Sequence, residues 1–220
     1  MKKYEFTGET KQWWGRTLHR IRATVSFGNV SAGEVGGWIE KEENLSHEGN
    51  AWVYGNALVC GKALVCGKAQ VYGKAQVYGN ALVYDEARVC DEARVCDEAR
   101  VYGKAQVCGK AQVCGKAQVC GDALVYGEAQ VYGEARVCDE ARVCKTAHYL
   151  TVGPIGSRND ITTFFRTKSL QIFVSCGCFR GSIEAFAEKV HQTHGNNEHA
   201  RRYIASIEFA KACIDLSPEE

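Results

Sequence analysis

The chain has 220 residues, enough to bury a core as one large domain or two small ones. Its 27 Lys and Arg stand against 26 Asp and Glu, which leaves no bulk charge to steer it to a nucleic-acid polymer or a membrane. No apolar run follows the lysines of Met1-Lys2-Lys3-Tyr4-Glu5, and no apolar segment is long enough to span a bilayer, so the expected setting is the cytoplasm.

Residues 1–38 are not repetitive. Lys3 to Thr7 and Arg16 to Phe27 alternate apolar with polar side chains, which predicts strands with Gly8 and Gly15 as turns. A small N-terminal β cap over the open end of the repetitive region is the expected arrangement, because a first coil would otherwise expose an unpaired strand edge. Arg16, His19, Arg20 and Arg22 make this segment mildly basic, read as a solvated strand face. Gly36-Gly37-Trp38 predicts the turn into the repeats, with Trp38 as a plug on the end.

From Ala51 to Cys144 one six-residue phrase recurs: Ala-x-Val-(Tyr/Cys)-(Gly/Asp)-polar. Six residues advance an α-helix by about 600°, so the valines would spiral around it and form no stripe. An even period suits extended chain, where Ala and Val return to one face and the residue between them to the other. The fifth position, Gly in most hexads and Asp at 85, 91, 97 and 139, tolerates left-handed backbone and places a corner in every hexad. Three strands and three corners close one coil, which predicts a mainly β chain built on a left-handed parallel β-helix over residues 39–147. About five regular coils, stacked at roughly 4.8 Å, give a prism on the order of 25 Å tall. Followed backwards, the phase puts Ile39 and Leu45 at alanine positions and Lys41 and His47 at valine positions, a degenerate start.

The outward position changes in blocks: Trp52, Leu58 and Leu64, then Gln70, Gln76 and Leu82, then Arg88, Arg94 and Arg100. The three arginines should ring one coil beside Asp85-Glu86, Asp91-Glu92 and Asp97-Glu98, as a solvated belt. Nine of the twelve cysteines fill the Tyr/Cys slot, so Cys90 should lie over Cys108, Cys96 over Cys114 and Cys120 over Cys138, close enough to bridge. A reducing cytoplasm predicts free thiols. With no CxxC pair or Cys/His cluster to bring four ligands together, no metal or other cofactor is expected.

After Cys144 the phase fails and a C-terminal α+β module is predicted over residues 148–220: a loop at 151–160, strands at 161–167 and 170–176, a helix capped by Ser182 and stopped by Gly195, and a last helix opened by Asn197. Its glycines and hydroxyls can present backbone N–H groups to an anion, and its arginines can fork onto phosphate. The candidate ligand-binding residues are Ser157, Arg158, Asn159, Asp160, Thr162, Thr163, Arg166, Phe179 and Arg180, with Phe164 and Phe165 as further rings for a base. Cys176 and Cys178 have neither thioredoxin spacing nor a visible His/Asp partner, and no catalytic residue is assigned.

The repeat resembles the scaffold of hexapeptide acyl- and acetyltransferases, which implies a catalytic histidine beside a coil. His47 and His148 are the candidates by elimination, since none lies between Ala51 and Cys144. The flanks resemble something narrower. Phe27-Gly-Asn-Val-Ser-Ala-Gly-Glu-Val-Gly-Gly-Trp-Ile-Glu-Lys-Glu-Glu-Asn-Leu-Ser46, and the tail from Gly156-Ser-Arg-Asn-Asp160 through Val174-Ser-Cys-Gly-Cys-Phe-Arg-Gly181, are similar to those of bacterial and phage hexapeptide-repeat proteins. That resemblance implies a phage or prophage setting without an established enzymatic activity. The expectation is a homo-oligomer, a trimer formed through outward Leu58, Leu64 and Leu82, whose module binds a small phosphorylated or nucleotide-like ligand and sequesters a host signal. The alternatives are a structural spacer and an acyltransferase.

Overall fold

In the computed structural model, which describes residues 2–218, a parallel β-solenoid carries an antiparallel hairpin at one end and an α+β unit at the other. Strands β1 (Tyr4–Trp13) and β2 (Arg16–Ala23) form the hairpin, and β3 (Val35–Ile39) joins β2 antiparallel on one side and the first repeats parallel on the other. The hairpin therefore extends one face of the solenoid as a continuous sheet. Gly15 makes its turn, whereas Gly8 lies inside β1, where the register slips between Phe6 and Thr10 as a bulge absorbs the extra residues.

Among the described residues, sixteen two-residue strands, β4 to β19, run from Trp52–Val53 to Arg142–Val143 at six-residue intervals. Each pairs with the strand eighteen residues away: Arg88 lies between Gln70 and Gln106, and Val89 between Val71 and Val107. The Ala and Val of the hexads are buried, and they make one continuous core. Arg88, Arg94 and Arg100 are exposed on three different faces of one coil, as the block pattern predicts.

Corners form where the fifth residue takes φ between +57° and +73°. Each is held by backbone bonds to the next coil, as in Lys68 N to Asp85 O at 2.6 Å and Gln70 N to Ala87 O at 2.9 Å. Aspartate adds to this role. Asp85, Asp91 and Asp97 each accept, through Oδ2, the N–H of the glycine one coil on, Gly103, Gly109 and Gly115, at 3.0–3.1 Å.

The first turns correct the predicted phase. Ile39 pairs with Val59 and Leu45 bridges Val65, so both occupy valine positions, and Lys41 and His47 stay out of the interior. The apolar core selects Ile and Leu, and a two-residue slip before Ala51 preserves the facing of side chains. The short turn at Glu42–Asn44 ties this stretch to the next coil, with Asn44 Nδ2 donating to Ala63 O at 2.8 Å. Counting this stretch with the regular coils, each face holds six layers. Trp38 does not plug the end. It packs outside a face with Leu18, Leu58 and Cys60, under Lys11 and Arg20 at 4.5 and 5.1 Å from its ring. Leu58 is thereby buried beneath the hairpin and leaves the set of residues available for self-association.

The cysteine ladder has the predicted stacking, but Cys120 and Cys138 are joined in a disulfide, with Cα atoms 4.6 Å apart, where free thiols were expected. The parallel register stacks these two cysteines as it does Cys90 with Cys108 and Cys96 with Cys114, which stay free.

The C-terminal unit is a four-stranded antiparallel sheet, β20 (Tyr149–Ile155), β21 (Asp160–Arg166), β22 (Ile172–Cys176) and β23 (Phe179–Ser182), followed by α1 (Ile183–His194) and α2 (Glu198–Cys213). The predicted caps are in place: Ser182 Oγ accepts from Ala185 N and Asn197 Oδ1 from Ala200 N. Strand β20 takes in the first half of the stretch read as a loop, and β23 forms where no element was predicted. The register slip between Val152 and Ile155 lets β20 carry Gly153-Pro154 without losing its partner. One face of the sheet packs on the solenoid through Phe165, and the other on the helices through Phe164 and Val174. Phe164 and Phe165 are thus core residues and offer no ring to a ligand. Among the described residues, no helix is long and apolar enough to cross a membrane.

Candidate functional site

The α+β unit encloses a cavity of about 220 Å³ between the β20–β21 turn, the β22–β23 turn and the helices. Helical spacing on α1 places Phe186, Lys189, Val190 and Thr193 on one face, because residues three and four apart are neighbours. Phe186 and Val190 are buried as the floor, and Lys189 reaches the rim. From α2, Tyr203 forms a wall, edge-on to Phe186 at 5.5 Å and stacked with His194 at 5.9 Å. Phe179 closes the opposite side, 5.1 Å from Phe186. The result is an aromatic chamber with a polar mouth.

Four of the predicted residues meet here: Ser157, Arg158, Asp160 and Phe179. Asn159 shares their turn, in left-handed backbone at φ +49°, without lining the cavity. Thr162 stands behind it, its hydroxyl donating to Cys176 Sγ at 3.3 Å. Thr163 turns away to the solenoid and accepts the Arg136 N–H at 3.0 Å. Arg166 is buried against His148, with Nη1 3.0 Å from both ring nitrogens, and Arg180 is exposed elsewhere on β23. The last three do not converge on the cavity: strand alternation sends Thr163 and Arg180 to the faces opposite Thr162 and Phe179, and Arg166 lies at the far end of β21, held by His148.

Sequence reasoning missed Lys189, His194 and the placement of Tyr203. The readable signal was helical: Lys189 and Thr193 lie three and seven residues after Phe186, the spacing that puts them on its face. Burial pushes the Tyr203 phenol up to about 12, helped by its contact with Cys176 Sγ at 3.7 Å and by the charge of Asp160, with Arg158 opposing. Tyr203 therefore stays a neutral donor at physiological pH. The rim carries two cations, Arg158 and Lys189, against one carboxylate, Asp160. A small anion with a planar apolar part is the chemistry this arrangement accommodates.

The solenoid reaches the same rim. Arg136 Nη1 donates to Gly177 O at 3.4 Å, tying the last coils to the Cys176-Gly177-Cys178 turn. The two histidines considered for acyl transfer sit at joints. His47 stacks on Tyr4 at 4.3 Å and accepts from Lys3 N at 3.1 Å. His148 is 1% exposed, beside Arg166 and within 3.8 Å of Asp215.

Comparison with known proteins agrees with the scaffold. Residues 75–91, 93–109 and 117–133 match the model of the YdcK β-solenoid repeat, a likeness confined to part of the coils and consistent with their hexapeptide period. Among named proteins, the uncharacterized acetyltransferase YdcK of Escherichia coli (strain K12) is 49% identical over 37 residues. That stretch is 17% of this chain and 11% of the length of YdcK.

Proposed function

We propose that the protein is a non-enzymatic binding protein in which the solenoid is the scaffold and the C-terminal cavity takes a small phosphorylated or nucleotide-like ligand. The observation that carries this is the placement of Arg158 and Lys189 at the mouth of a chamber walled by Phe179, Phe186 and Tyr203. Drug-sized clefts run from about 300 to 1,000 Å³, so this smaller cavity suits one ring system or one phosphate-sized group, with the rest of the ligand outside. Calorimetric titration of the whole chain with AMP, cyclic mono- and dinucleotides and inorganic phosphate tests the reading. A charge-assisted hydrogen bond is worth about 1.5–3 kcal/mol, so Arg158→Ala with Lys189→Ala should weaken binding by about a hundredfold or more. Absence of binding across the panel, or binding untouched in the double variant, rules the site out.

The finer form of the proposal is a phage-encoded homo-oligomer that sequesters a nucleotide signal of its host. It follows from the resemblance of the flanking segments, and Leu64 stacked on Leu82 supplies outward apolar surface for a trimer. Sedimentation equilibrium reads the oligomer directly.

An acetyl-transfer reading has one observation in its favour, the partial likeness to YdcK. It requires acetyl-CoA turnover that disappears on His47→Ala or His148→Ala.

A further inference from the structure

Tyr and Cys alternate irregularly along the fourth hexad position, yet each of the three corner columns holds one pair of cysteines on adjacent coils: Cys90 with Cys108, Cys96 with Cys114, and Cys120 with Cys138. The pairs differ in the residue that follows the first cysteine. It is Gly121 after Cys120, and that pair is the disulfide. After Cys90 and Cys96 it is aspartate, Asp91 and Asp97, and there two sulfurs and a carboxylate oxygen converge, all within 4.8 Å of one another at each corner.

We propose that Cys90-Asp91-Cys108 and Cys96-Asp97-Cys114 are a pair of equivalent sites for a thiophilic divalent cation of the zinc class, each clamping one coil to the next. Two thiolates and a carboxylate are a zinc-type donor set, and a tetrahedral ion with bonds of about 2.3 Å holds its sulfurs about 3.8 Å apart, so a small contraction of the observed cluster suffices. A water completes the fourth position on the solvent side, since Asp91 and Asp97 are exposed while Cys90 and Cys96 are only 6% and 5% exposed. Each carboxylate already accepts a glycine N–H through Oδ2, which fixes its direction, and a carboxylate has about four lone-pair sites, so capacity to ligate remains. Binding deprotonates both thiols and releases their protons to solvent, with no change of oxidation state.

The same coil supplies an internal comparison. At its third corner Asp85 makes the identical bond to Gly103 N, but the neighbours in the sulfur positions are Tyr84 and Tyr102, stacked at 5.0 Å. The aspartates thus have a corner role without metal, and what distinguishes the other two corners is the thiol pair beside them.

The test is titration of the whole, reduced chain with Co2+ under argon, in the presence of a non-thiol reductant. The expected result is two equivalents per chain, thiolate-to-cobalt charge transfer in the near ultraviolet, visible bands of tetrahedral cobalt, and displacement of both by Zn2+. Cys90→Ser with Cys96→Ser should abolish the bands, while Cys120→Ser with Cys138→Ser and Cys176→Ser with Cys178→Ser should leave both equivalents. Asp91→Asn with Asp97→Asn keeps an acceptor for the glycine N–H and removes the charged ligand. It should weaken binding by at least about tenfold, the lower end of the cost of losing even an outer-shell partner. Fewer than two equivalents in a chain with all its thiols reduced, or bands that survive in Cys90→Ser with Cys96→Ser, overturns the proposal. Bands unchanged in affinity in the asparagine pair remove aspartate from the site and overturn it as stated.

Discussion

Replacing Gly156 with alanine attacks the wall of the cavity at the point where the chain comes closest to it. A Cβ built on Gly156 would lie 1.8 Å from Tyr203 Oη and 2.3 Å from Cζ, in a backbone at φ +74°. The left-handed conformation costs a β-carbon about 1–2 kcal/mol. Forcing the ring of Tyr203 out of its packing against Phe186 and His194 adds about 1–3 kcal/mol of overpacking. The sum, about 2–5 kcal/mol, should appear in the C-terminal unit, which contains both α-helices, while all four tryptophans lie at the hairpin end. Helical circular dichroism and tryptophan fluorescence therefore report opposite ends of the molecule in one urea titration. The helical transition of Gly156→Ala should move down by about 1–2 M urea and the fluorescence transition should stay in place. Gly195→Ala is the control, because it has φ +56° but nothing within 4 Å, and it should lose only the conformational part. Adding Tyr203→Phe, which removes the nearest atom, should restore some of the loss. If Gly156→Ala and Gly195→Ala unfold alike, the close approach of Tyr203 to this turn is wrong, and with it the shape of the cavity.

Asp85→Ala should cost about 2–3 kcal/mol in thermal unfolding, from left-handed strain plus the lost bond to Gly103 N, whereas Asp85→Asn should be close to neutral. Lys3, buried with its ammonium donating to Ala51 O at 2.9 Å, has its pKa pushed down by burial to about 8 from 10.5. Between those values the unfolded chain binds the extra proton, so the hairpin end should gain stability as pH rises from about 8 to about 9, before tyrosine, ordinarily at 10.0, begins to ionise. Melting followed by tryptophan fluorescence should show that rise, and Lys3→Met should flatten it. Deleting residues 103–120, one coil made of three Gly-Lys-Ala-Gln-Val-Cys hexads, restacks Ala on Ala and Val on Val and should leave helical content and ligand affinity unchanged. A spacer role predicts instead that function changes with the shortened length.

The solenoid was legible because one six-residue phrase states its interior, its surface and its corner in fixed order. The phase was lost at Ile39 to Asn50, where the repeat is too degraded to count and only the core could choose between Ile39 and Lys41. In the C-terminal unit the helix caps Ser182 and Asn197 were readable because capping is local. The strands β20 and β23 were not, since Gly153-Pro154 and Gly181 read as breakers unless a partner strand is known. The site divides in the same way. Ser157, Arg158 and Asp160 belong to one turn and are found together from sequence, whereas Lys189, His194 and Tyr203 join them only through the packing of two helices on a sheet. Arg166 was chosen for its guanidinium, and its burial against His148 depends on a contact eighteen residues away.

Amide-resolved NMR of the whole chain, titrated with the same nucleotide and phosphate panel, tests the location of function most directly. Shifts should gather at residues 157–160, 176–179, 186–194 and 203, and the coils from 51 to 132 should not respond. Shifts confined to the coils, or none with any member of the panel, would contradict a binding site in the C-terminal unit.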